Sequence, residues 1–128
     1  MLINFTNHPS TEWPEVQLKS AEKYGSVFDI QFPSVDPNAE PFEIELLAEK
    51  LEAELRHILA SENSGLSAVH IMGELTFCFA LISRLQKAGI TCLASTTIRQ
   101  TIDYPDGLKT TKFDFVRFRE YLQIQRSK

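Results

Sequence analysis

The chain has 128 residues, 43% of them hydrophobic and 23% charged, with a formal net charge of −4. That length suits one domain able to bury its own core, in a composition typical of globular proteins. The negative balance argues against a general duplex nucleic-acid binder, which needs a basic surface to displace counterions, but leaves room for a small anionic ligand in one local basic pocket.

No run approaches the roughly eighteen uninterrupted apolar residues of a membrane span, and the N-terminus lacks the basic, apolar, small-residue order of a signal peptide. The expected location is therefore the cytoplasm, with no membrane partner. Cys78 and Cys92 fall inside a helical and a strand pattern. They read as small core fillers, not as a disulfide framework or a metal site. No metal and no cofactor are expected.

In chain order, Met1 to Thr6 reads as a strand, and Asn7-His8-Pro9-Ser10 as the loop leaving it. Pro9 disfavours helix at His8, and Ser10 or Thr11 can cap a helix through Val16, Leu18 and Ala21 to Gly25. Ser26 to Phe32 reads as the next strand, with Val27, Phe28, Ile30 and Phe32 as its apolar members. Pro33 to Pro41 is a loop with three prolines. Phe42 to Leu59 follows as the clearest helix: Ile44, Leu47, Leu51, Leu55 and Ile58 recur at helical spacing, and Glu43, Glu45, Glu49, Lys50, Glu52, Glu54 and Arg56 form a face expected to be solvated. Ser61 to Ser67 is a polar linker.

Ala68 to Thr97 is the stretch around which the chain is organised. Ala68 to Met72 is a short apolar strand, and Gly73 breaks the pattern. Glu74 to Ala88 then carries Leu75, Phe79, Ile82 and Leu85 at helical spacing before Gly89 stops it, and Ile90 to Ala94 is a second apolar strand. Two apolar strands joined by a helix make a βαβ unit, with parallel strands buried on both faces. Beyond it, Ile98–Tyr104 and Lys109–Phe118 flank Pro105-Asp106-Gly107, a hairpin signal. In the second run Phe113, Phe115 and Arg117 are expected on one face, with Asp114, Val116 and Phe118 on the other. The expected fold class is α/β: a Rossmann-like, mostly parallel sheet of order 2-1-3-4, helices on both faces, and a C-terminal antiparallel β-hairpin beyond. Residues 1–121 form the domain, and Leu122–Lys128 a polar tail expected to fray.

Ligands of open α/β sheets sit at the carboxyl ends of the strands, which selects four groups. Gly73, Glu74 and Thr76 open a helix whose free N–H groups suit an anion, although the Glu74 carboxylate can itself complement the helix dipole. Ser95, Thr96, Thr97 and Arg99 supply hydroxyls and a guanidinium, the usual equipment for phosphate and ribose, in a segment that reads equally as a threonine-rich strand. Asn7, His8 and Ser10 form the third group, and His8 is the histidine placed on a loop at that edge, compatible with acid–base work or hydrogen bonding. His57 and His70 fall inside a helix and a strand, where either can be structural. Arg117 and Arg119, interleaved with aromatics, can pair with phosphates or with carboxylates of a neighbour. There is no dinucleotide fingerprint, no Ser–His–Asp spacing and no metal-ligand spacing. The residues by themselves support a small Rossmann-like domain that binds a phosphate-containing ligand.

Ala94-Ser95-Thr96-Thr97-Ile98-Arg99, followed after a hairpin by Phe115-Val116-Arg117-Phe118-Arg119-Glu120-Tyr121, resembles the end of the small single-domain CRISPR-associated proteins of type III systems. These are similar to CARF domains, Rossmann-like sensors of cyclic oligoadenylate, and some are ring nucleases. The Gly73-Glu74 step and the opening Asn4-Phe5-Thr6-Asn7-His8-Pro9-Ser10 resemble the same family. Two spellings differ: Glu74 stands where the family has Asp, and Asp114-Phe115 precedes Val116 where a histidine is more usual, a departure that bears on whether catalysis is retained.

The resemblance implies a homodimer that binds cyclic oligoadenylate, most often the tetra-adenylate, across a two-fold interface. Gly73, Glu74 and Thr76 would meet phosphate, Ser95, Thr96, Thr97 and Arg99 ribose or phosphate, and Asn7, His8 and Ser10 an adenosine or the scissile ribose. The implied activity is metal-independent ring cleavage, with His8, Thr97 and Arg99 as the catalytic candidates. The alternatives are a non-catalytic sponge or sensor using the same pocket, and an unrelated Rossmann-like domain.

Overall fold

The computed structural model describes residues 1–62 and 65–123; Asn63 and Ser64 of the expected linker, and residues 124–128 of the expected tail, lie outside them. In chain order the elements are β1 (Leu2–Phe5), α1 (Glu15–Ala21), β2 (Val27–Asp29), α2 (Pro41–Ala60), β3 (Ala68–Ile71), α3 (Leu75–Lys87), β4 (Cys92–Asp103) and β5 (Lys109–Glu120), with 3₁₀ turns at Ser10–Glu12 and Glu22–Tyr24. One five-stranded mixed sheet has the order β2-β1-β3-β4-β5, parallel except for the antiparallel β4–β5 pair. The fold is thus α/β and roughly matches a Rossmann-like sheet with a C-terminal hairpin.

Alternation along the strands divides the core. Ile3, Phe5, Val69, Ile71 and Cys92 point to the face covered by α2 and α3, where they meet Leu51, Leu55, Phe77, Leu81 and Leu85. Leu2, Ala68 and Leu93 point to the other face, against Trp13, Ala21, Tyr24 and Phe118. Both cysteines are free and buried, and burial pushes the Cys92 thiol up to about 12 and Cys78 up to about 11, so neither is a reactive thiolate.

The helices start where their termini can be satisfied. Pro41 takes the first turn of α2, and Glu40 and Glu43 form a reciprocal capping box in which the Glu40 N–H donates to Glu43 Oε2 at 3.0 Å. The polar face of α2 is not simply solvated: Arg84 of α3 pairs with Glu52 at 2.8 Å and Glu45 at 2.7 Å, tying the two helices together.

Several expectations are corrected. The first helix does not run from Ser10: Pro9 and Pro14 divide it into a 3₁₀ turn and the short α1, which buries Gln17 and Ala21 while Val16 and Leu18 stay exposed. β2 ends at Asp29, and Phe32, expected on that strand, instead packs between Phe5 and Phe77. On α3 the buried positions are Phe77, Cys78, Leu81, Ile82 and Leu85, while Leu75 and Phe79 stand 82% and 71% exposed.

The hairpin is not a separate addition. β4 runs unbroken from the parallel sheet, where it pairs with β3 only at Cys92 and Leu93, into a ribbon with β5. A bulge lies between Thr96 and Thr97: Thr96 opposes Arg117 and Thr97 opposes Phe115, leaving Val116 as the extra residue. That insertion breaks the expected alternation, so Phe115 and Phe118 share a face, their ring centroids 5.1 Å apart.

Candidate functional site

In the order 2-1-3 the chain leaves β1 for one neighbour and returns on the other side, so a crevice opens at the carboxyl ends of β1 and β3. A cavity of about 520 Å³ occupies that place, on the α1 side of the sheet. Its lining includes Thr6, Asn7 and His8 after β1, Met72 and Gly73 after β3, and Ser95 and Thr97 of β4.

The backbone of the loop after β1 is fixed by its own strand. The His8 carbonyl accepts hydrogen bonds from Asn4 Nδ2 at 2.8 Å and Trp13 Nε1 at 3.3 Å, while the His8 N–H donates to Thr6 Oγ1 at 3.1 Å. Asp29 at the end of β2 accepts from the Ser10 hydroxyl at 2.7 Å, the Ser10 N–H at 3.0 Å and Asn4 Nδ2 at 2.8 Å. Burial raises the Asp29 pKa, but the hydrogen bonds from Ser10 and Asn4 outweigh it and hold the carboxyl below its ordinary value. Ser10 is therefore a strut of the loop, and His8 carries an exposed ring on an anchored backbone.

The start of α3 is already satisfied from within. Glu74 accepts from the Thr76 N–H at 3.1 Å, the Phe77 N–H at 2.7 Å and the Thr76 hydroxyl at 2.7 Å. The hydrogen bond from Thr76, then that from Phe77, lowers the Glu74 pKa, so the carboxylate holds the helix end as an anion would. A phosphate at this helix start would have to displace it.

The β4 residues divide by parity. Ser95 and Thr97 line the cavity. Thr96 alternates away and its hydroxyl donates to the Arg117 carbonyl at 3.1 Å. Arg99 opposes Phe113, itself a cavity residue, so it stands at the rim on the face of Thr97, its guanidinium without a hydrogen bond or ion pair among the described residues. Arg117 and Arg119 oppose Thr96 and Ala94 and do not line the cavity. Arg117 instead borders a shallow hollow with Lys19 and Lys23. Of the expected site residues, the cavity gathers Asn7, His8, Gly73, Ser95 and Thr97, sets Arg99 beside them, and leaves Ser10, Glu74, Thr76, Thr96, Arg117 and Arg119 outside.

The fold brings in residues that spacing alone did not select: Trp13, Gln17, Phe113 and above all His70. His70 is 2% exposed, its Nδ1 lies 3.0 Å from Asn4 Oδ1, and its ring meets Trp13 and Phe118 edge-on. Burial, with the nearby His8 adding to it, pushes its pKa down to about 4. The signal in the sequence is a pair of polar residues at matching positions in two apolar strands, Asn4 in LINF and His70 in AVHI, which the parallel register sets side by side. Among the described residues no cluster of three or more His, Cys, Asp or Glu forms a metal site, and no helix is long and apolar enough to cross a membrane.

The chain matches no curated protein and no solved structure. A family model does match it, over residues 1–119, from the first strand to the end of the ribbon. With its sheet and cavity lying within that match, the chain belongs to the uncharacterized protein MJ1673 family.

Proposed function

We propose that the chain is a CARF-like domain that binds a cyclic oligoadenylate, cyclic tetra-adenylate first, in type III CRISPR antiviral signalling and lowers its level by metal-independent cleavage in the cytoplasm. The observation that carries this reading is the convergence of His8, Ser95 and Thr97 in a cavity at the reversal of strand order, with the uncommitted guanidinium of Arg99 at its rim. The resemblance of Ser95–Arg99 and of the Asn4–Ser10 opening to type III CRISPR-associated proteins supplies the ligand class.

In this reading a ribose 2′-hydroxyl attacks the adjacent phosphorus. A 2′,3′-cyclic phosphate forms as the P–O5′ bond breaks, and the proton lost from the 2′-oxygen is balanced by one gained at the 5′-oxygen. His8 moves a proton, Thr97 orients the ribose, and Arg99 meets the charge that grows on the phosphoryl oxygens. Incubation with labelled cyclic tetra-adenylate in EDTA should give linear products with 2′,3′-cyclic phosphate ends. Arg99→Ala and Thr97→Ala should weaken binding about ten- to a hundredfold without unfolding the protein, and His8→Ala should slow turnover more than it weakens binding. Unchanged affinity in both of the first two variants removes the pocket from the argument.

One observation favours a second reading, a sponge that sequesters the ring intact. The α3 amides, expected from the sequence to meet phosphate, are already held by Glu74, outside the cavity. Tight binding with the ring recovered whole is the outcome that selects it.

A homodimer belongs to the same proposal. Leu75 and Phe79 lie one turn apart on α3, exposed and apolar, and Leu75 follows two residues after Gly73 of the cavity. Leu75→Glu combined with Phe79→Glu should shift sedimentation from dimer to monomer while leaving far-UV circular dichroism unchanged. A wild-type chain that sediments as a monomer with and without cyclic tetra-adenylate refutes the dimer.

A further inference from the structure

The Nε2 atom of His70 is buried and has no hydrogen-bond partner, the one such side-chain atom among the described residues. Its chemical state follows from the network around it. Asn4 donates through Nδ2 to the Asp29 carboxylate and to the His8 carbonyl, both pure acceptors, so the Asn4 amide can be oriented in only one way. Asn4 Oδ1 is then an acceptor, taking the Thr6 hydroxyl at 3.0 Å and facing His70 Nδ1 at 3.0 Å. His70 must carry its proton on Nδ1, which leaves Nε2 with a bare lone pair.

A neutral acceptor held in this way, out of reach of water, is costly unless something donates to it. His70 lines the cavity together with Trp13, Met72 and Phe113, surroundings that suit a flat aromatic ring better than a sugar or a phosphate. The phosphodiester of a cyclic oligonucleotide has no proton to give at neutral pH, and the Trp13, Met72 and Phe113 lining favours a flat ring over a sugar hydroxyl, so an N–H on a base is the donor that fits Nε2 best. Exposed lining side chains, among them His8, Met72 and Phe113, are free to give way as it enters.

We propose that the cavity is a nucleobase pocket in which His70 Nε2 accepts a hydrogen bond from an exocyclic amine, selecting an amino-bearing purine such as adenine over its 6-oxo counterpart. The Asn4–His70 pair sets the selection: Asn4 fixes the tautomer, and the tautomer fixes Nε2 as an acceptor that a carbonyl oxygen can only repel. This rests on the cyclic oligoadenylate reading for its preferred ligand, but not for its chemistry.

The test follows the ring nitrogens of His70 by ¹⁵N NMR, with cyclic tetra-adenylate, adenosine monophosphate and inosine monophosphate as probes. In the free protein the ring should be neutral with the proton on Nδ1. Saturating adenine ligand should shift Nε2, and inosine monophosphate, which sets a carbonyl oxygen where adenine carries its amine, should bind more weakly and shift it less. His70→Phe, which keeps an aromatic ring against Trp13 and Phe118, should lose about tenfold in affinity for the adenine ligand and lose the preference over inosine.

The failures are separable. Tight binding of cyclic tetra-adenylate with Nε2 unmoved overturns the base pocket and leaves the messenger reading standing. A shift of Nε2 by adenosine monophosphate without binding of any cyclic ring upholds the pocket and removes the messenger. A proton found on Nε2 in the free protein, or no shift with either adenine probe, overturns the proposal outright.

Discussion

Between pH 6.5 and pH 4 the folded state should lose about 3 kcal/mol of stability through His70 alone, from a pKa difference of about 2.5 units between the unfolded chain and the fold. The sign follows from proton uptake. With its folded pKa pushed down to about 4, His70 stays neutral in the native state, while the unfolded chain binds a proton as the pH drops below 6.5. The unfolded state therefore gains protons that the native state does not, and stability falls with pH across that window. Above pH 6.5 the contribution is complete and flat. His70→Phe keeps the ring contacts with Trp13 and Phe118 and leaves Asn4 Oδ1 its hydrogen bond from Thr6. Urea midpoints measured at half-unit steps should show a steep acid limb in the wild type and a shallower one in this variant, the residual slope belonging to carboxylates such as Asp29 and Glu74, which their hydrogen bonds hold below the ordinary value. Parallel acid limbs in the two proteins would contradict a neutral, buried His70.

Gly73→Ala should cost about 1–3 kcal/mol, seen as a fall of about 5–10 °C in Tm. The reason is contact, not backbone conformation, since Gly73 is not among the glycines with positive φ. A Cβ at Gly73 would collide with the ring of Phe32, lying 2.6 Å from both Cε1 and Cε2. That ring cannot simply swing aside, because Phe5 and Phe77 hold it with centroids 5.3 and 5.5 Å away. Shrinking the obstacle should help: Gly73→Ala with Phe32→Leu should recover part of the loss relative to the sum of the single changes, a coupling that a double-mutant cycle reads directly. A Gly73→Ala protein that melts with the wild type would mean that the strand end and the Phe32 segment move apart freely.

How much of this was legible in the sequence depends on the range of the interaction. α2 announces itself, because Leu51 and Leu55 recur on one face over five turns and local periodicity decides the element. The strand order is legible too, since short βα alternation leaves few topologies. The place of Phe32, past the end of β2, is not legible in the sequence, because its partner, the bare surface of Gly73, is remote along the chain. Spacing puts Leu75 and Phe79 in one apolar set with Ile82 and Leu85 without saying which part of it meets α2, and the structure leaves the first two exposed. The bulge at Thr96 and Thr97, which reverses the parity of β5, has no glycine to mark it. Asn7 and His8 line the cavity because a loop that leaves a strand at the carboxyl edge of the sheet opens there, which their place after β1 makes legible. Glu74 illustrates a limit of another kind: the residue type at a helix start does not say whether it awaits an anion or stands in for one.

β4 belongs to two bodies at once. Its first two residues pair with β3, while from Ala94 onward β5 is its only strand neighbour among the described residues, in a ribbon exposed on most of its length. Segments with few buried apolar contacts open at far lower free energies than a packed sheet does. The cavity therefore has a stationary side, built from His70 on β3 and Thr6 just past the end of β1, and a compliant side, built from Thr97 and Phe113 on the ribbon. A guest would register against the first and be gripped by the second, so its residence time would be set by how often a two-stranded arm bends and not by any movement of the sheet.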